Sequence, residues 1–282
     1  MNDVAMTESI AISNANFVLD GNGKTITMTA DATNTYALFD ITGGKAAFKN
    51  VTFDGVKSGA VVRTVGVEFD AENVTAKNGQ HTQQQGLFRL VGKSTLTNCK
   101  FLNNTCKMVV SFCYDINDDI YPLAVNGCVF KSNICSDTAV LYYANGIGCT
   151  VKDSKFVSNT VNTNGNAATA YIGFMENCVI TGNEFSNNHV TTTSTTTKRA
   201  TGGLMIGYEA VITGNAFVGN TITAEGRTLG NDVCASVYYT DIDLSGNYWG
   251  GNAPVENDDY FVEYPDRHIV IVNNYLTENP IK

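Results

Sequence analysis

Three groups of side chains in this 282-residue chain have the types and spacing that chemistry would use. The first is Asp40, Arg63 and Arg89, a carboxylate with two guanidinium groups at one strand position of successive sequence repeats. A polysaccharide hydrolase needs two carboxylates on one face, and a lyase needs a basic residue that takes a proton, usually with Ca²⁺ held by acidic oxygens. The same trio also reads as a plain surface salt-bridge ladder. The second group, Asp115, Asn117 and Asp119 in "DINDD", alternates like the start of a calcium loop. It lacks the central Gly and the distal Glu of such a loop, so no metal site is assigned. The third is Tyr142, Tyr171, Met205 and Tyr238, an outward stripe suited to stacking on sugar rings or anchoring a protein. A one-residue shift in alignment would instead turn those rings into the core.

Other reactive residues carry less. His81, His189 and His268 stand apart with no G-H-G, and each reads as a solvated loop residue. The eight cysteines form no C-x-x-C and have no nearby His, which excludes a zinc site and leaves buried free thiols. No cofactor motif is present and no cofactor is expected.

The positions of these residues follow from a repeat. Asn50, Asn73, Asn98, Gly127, Asp153, Gly182, Gly214 and Gly246 recur at intervals of 23 to 32 residues. All are types that tolerate φ > 0, so they predict one left-handed bend per coil. Two places earlier the residue is always apolar, from Phe48 to Leu244. Three places after the bend it is Phe53, Ala76, Phe101, Phe130, Phe156, Phe185, Phe217 or Trp249. Asn follows three residues later at 104, 133, 159, 188, 220 and 252, which predicts a stacked amide ladder. A third strand precedes each bend, in "YALFDI", "GLFRL", "AVLYYAN", "ATAYIGF", "GGLMIGY" and "ASVYYTD". The sum is an all-β, right-handed parallel β-helix of eight or nine coils with three short strands each, roughly 40 Å long. It occupies residues 1–254, with 255–282 as a capping strand and tail. The variable segment, richest in Thr at 191–200, lies beside the aromatic stripe.

A formal charge of −9 without a basic run argues against nucleic acid or an anionic membrane as partner. No apolar stretch approaches the 18 residues of a membrane span, so no insertion is expected. The start, "MNDVAMTESIAIS", has no basic and apolar leader, which leaves a cytoplasmic protein or an excised mature domain.

The motifs "DGNGKTIT", FLNN, FKSN, FVSN, FSNN, FVGN, "GGLM" at 202–205 and "GNYWGGNAP" at 246–254 carry a resemblance. Over residues 17–254 the chain resembles the pectate-lyase-like right-handed β-helix superfamily. Within it, the F-x-x-N copies are similar to those of bacterial adhesin-like surface proteins, the polymorphic outer-membrane proteins and autotransporter passengers. The resemblance implies a secreted or surface-displayed protein, hence an excised domain, monomeric as it stands. The function expected is non-catalytic binding of carbohydrate or of a host or cell-surface protein. A lyase or glycoside hydrolase acting on an acidic polysaccharide is the alternative, and a phage tailspike-like protein a further one.

Overall fold

The computed structural model describes residues 3–28, 37–57, 59–81, 86–112, 121–143, 146–173, 175–226, 229–236, 240–267 and 269–281. Among them there is no helix, hence none long and apolar enough to cross a membrane, and every strand pairing is parallel. The strands stack as a β-solenoid of about 8 turns.

One coil shows how the sequence makes the walls. Ala168–Ile172 forms a long wall, Cys178–Thr181 an approach wall, Glu184–Ser186 an aromatic wall and His189–Thr192 a short wall. The corner between the second and third is Gly182 at φ 68°, and all eight bend residues anticipated from the repeat have positive φ. The corner between the third and fourth is a second left-handed column of Asn78, Asn103, Ser132, Ser158, Asn187 and Gly219. The three strands expected per coil are thus joined by a fourth, which forms its own six-stranded sheet.

Each inward column is continuous across coils. Phe101, Phe130, Phe156, Phe185, Phe217 and Trp249 stack with centroids 4.7–5.2 Å apart. That spacing is the strand separation of a sheet, so parallel register alone brings the rings into contact. Ala76 leaves a gap in this column, and Phe88 of the long wall fills it with its edge against Phe101 at 5.1 Å.

Two amide ladders run beside the rings. Asn104, Asn133, Asn159 and Asn188 each donate Nδ2 to the Oδ1 of the next Asn and to a carbonyl of the preceding coil. The ladder ends differently from the sequence expectation. Asn220 donates to Asp232 Oδ1 at 2.7 Å, while Asn252 is exposed. The second ladder, Asn183–Asn215–Asn247, lies directly after the first bend. Both ladders are buried, and each amide has its donors and acceptor satisfied, which is what makes interior Asn tolerable.

The ends are also coils. Ile10–Met28 pairs along most of its length with Ala37–Asp54. Past residue 254, Tyr260–Val262 pairs with Val233–Ala235 and Val270–Ile271 with Ile242–Asp243. These pairings continue the parallel stacking past residue 254.

Candidate functional site

The long wall carries two of the three groups read from the sequence, and its register joins them into one. Asp40, Arg63, Arg89, Ser111, Tyr142, Tyr171, Met205 and Cys234 occupy one outward column, one residue per coil. Phe39, Val62, Phe88, Val110, Leu141, Ala170 and Leu204 precede them and point inward. Strand alternation therefore fixes the outward direction of the column.

The N-terminal half of the column is polar. Arg63 donates through Nη1 to both carboxylate oxygens of Asp40, at 2.8 and 3.1 Å, and both side chains are about one-third exposed. Similar ladders mark the approach wall, where Glu68 bridges Lys45 at 2.6 Å and Lys93 at 3.3 Å. Arg89 differs. Its Nε is buried without a hydrogen-bond partner among the described residues, and so is the Ser111 hydroxyl on the next coil. Gly86 lies against that hydroxyl so closely that a Cβ would sit 2.5 Å from it.

The C-terminal half was expected to be an exposed aromatic stripe, and here the structure corrects the reading. Tyr171 is 5% exposed and Met205 1%. They form a second apolar cluster outside the coil with Ala139, Ala168 and Cys234, against which Tyr142 and Phe261 pack. Two returning segments build the cover. The Thr-rich excursion comes back at Ala200, which bridges Ala167. Arg199 then donates through Nε to Glu263 at 2.9 Å, and Glu263 also accepts from Ser236. Burial lifts the Tyr171 phenol above its ordinary range, against the pull of Arg199 beside it. The physical reason for the burial is that an apolar outward column attracts any segment able to shield it. Tyr142 remains half-buried, its ring 5.4 Å from that of Tyr171.

Tyr238 lies outside the described residues, and the column position of its coil belongs to Cys234. The described strand of that coil is Val233–Ala235, paired with Leu204–Ile206. Asp115, Asn117 and Asp119 also lie outside the described residues. Among those described, no group of three or more His, Cys, Asp or Glu could hold a metal ion.

Two functional-looking groups escaped sequence reasoning. His81, read as a loop residue, faces inward on the short wall beside Cys106 and is 1% exposed. Neither ring nitrogen has a partner among the described residues, and burial, aided by Lys107, pushes its pKa down to about 4. Asp232, terminating the amide ladder, is pushed up to about 7 by burial against the Asn220 hydrogen bond, with Asp259 and Asp258 adding to the rise. The chain matches no protein-family profile, no curated protein and no solved structure.

Proposed function

We propose that this rod is an adhesin-like module of the pectate-lyase-like β-helix group, secreted or displayed at a cell surface. It binds an extended carbohydrate along the long wall without cleaving it. The observation behind this reading is the change within one column from the closed Asp40–Arg63 pair to Arg89 and Ser111. Arg89 is half-buried, and the part of its guanidinium that reaches the surface suits a ligand supplying oxygen acceptors. Arg89 favours a carboxylate- or sulfate-bearing sugar, and the half-buried Tyr142 next along supplies a ring to stack on. From Arg63 to Tyr142 the column spans three coil steps, roughly 15 Å, enough to read several sugars of one chain.

The non-catalytic reading rests on the same side chains. Asp40 is the single carboxylate of the column's described residues, and Arg63 holds both of its oxygens. An arginine does not give up its proton in a protein, so neither guanidinium serves as a base. The test exposes purified protein to pectin, alginate and glycosaminoglycans and to a glycan array. The reading expects intact polymers and array binding that Tyr142→Ala weakens; release of unsaturated or reducing ends would overturn it.

A further inference from the structure

We propose that the register-paired cysteines Cys99 with Cys128, Cys106 with Cys135, and Cys149 with Cys178 are redox clips, each able to close into a disulfide joining neighbouring coils. The pairing is geometric and occurs three times. Cys106 lies directly opposite Cys135, and the partners Lys100–Val129 and Thr150–Val179 place the preceding residues, 99 with 128 and 149 with 178, opposite each other. All six are free thiols in the core. The Cys99 thiol points to the Ala71 carbonyl at 3.4 Å and the Cys128 thiol to that of Leu96 at 3.5 Å, so both sulfurs lie in the core at matching places on adjacent coils. Opposed residues of parallel strands stand about 4.8 Å apart at Cα, within the range that a disulfide spans.

The chemistry balances with a small disulfide of the glutathione class as oxidant. The Cys99 thiolate attacks one sulfur of the small disulfide, whose S–S bond breaks and releases one thiolate. The Cys128 thiol loses its proton and attacks Cys99, expelling the second small thiol. Two protein thiols are oxidised and one small disulfide is reduced to two thiols. Because the sulfurs are buried, exchange takes place while the coils close during folding. Side chains of aligned parallel residues diverge little from the strand spacing, wider than the ~3.8 Å Cβ separation of a relaxed bridge. Closure therefore draws the coils together, and burial then shields the bond, so that it opens only when the coils separate.

This inference is independent of the carbohydrate reading. Refold the whole chain in oxidised and in reduced glutathione, then alkylate it under denaturing conditions and map the peptides. The expected result in the oxidised sample is label on Cys113 and Cys234 alone, with cross-linked peptides joining the three stated pairs. The oxidised form also melts at a higher temperature than the reduced one. All eight cysteines labelled in both samples, or cross-links between other pairs, would overturn the proposal.

Discussion

At the scale of single residues, two buried ionisable groups pull stability in opposite directions with pH. His81 is held neutral in the fold, with a pKa of about 4 against an ordinary 6.5. The unfolded chain then binds more protons between those values, so the His81 contribution is intact above pH 6.5 and lost as pH falls toward 4. Asp232 behaves inversely. With a folded value near 7 against 3.8, its contribution is complete below pH 4 and lost as pH rises through 7. His81→Leu should gain on wild type as pH is lowered from 7 to 4, by on the order of 2–3 kcal/mol. Asp232→Asn keeps an oxygen for the Asn220 amide and removes the buried charge. Its advantage should appear above pH 7, on the order of 4 kcal/mol, and shrink toward pH 4. Denaturant unfolding across that pH range measures both. Differences from wild type that do not vary with pH would show these groups titrating as they do in the unfolded chain.

At the scale of the element, the bend is the unit that builds the rod, and it was legible because few residues accept a left-handed φ. Gly182 marks the limit. A Cβ there would stand 2.4 Å from Asp153 Oδ1 on the coil before, and the backbone sits at φ 68°. Gly182→Val combines that clash with a strain of roughly 1–3 kcal/mol, so a melting temperature several degrees below wild type is expected. An unchanged melting curve would mean the corner tolerates a branched side chain. The second bend was not legible, because Ser132 and Ser158 are uncommon in that conformation and their neighbours Asn133 and Asn159 already explained the motif. The cover over Tyr171 and Met205 could not be read at all, since it depends on Arg199 meeting Glu263 across 64 residues. Local pattern reports parity, whereas exposure depends on what returns from afar.

At the scale of the whole molecule, the inner columns of rings and amides leave little freedom, so most differences between coils fall on the outer faces and excursions. The outward column of the long wall changes character along the rod, from ion pair through Arg89 and Ser111 to half-buried Tyr142 and then to a covered apolar cluster. On this account the stretch from Arg89 to half-buried Tyr142 is the binding stretch, and the covered end is structural support. The most direct test is a calorimetric titration of wild type and Arg89→Ala with acidic oligosaccharides, with the products checked for new reducing or unsaturated ends. The account predicts binding by wild type, at least about tenfold weaker binding by the variant, a loss of about 1.4 kcal/mol, and unaltered oligosaccharide. Cleavage of the sugar, or equal affinity in the two proteins, would contradict it.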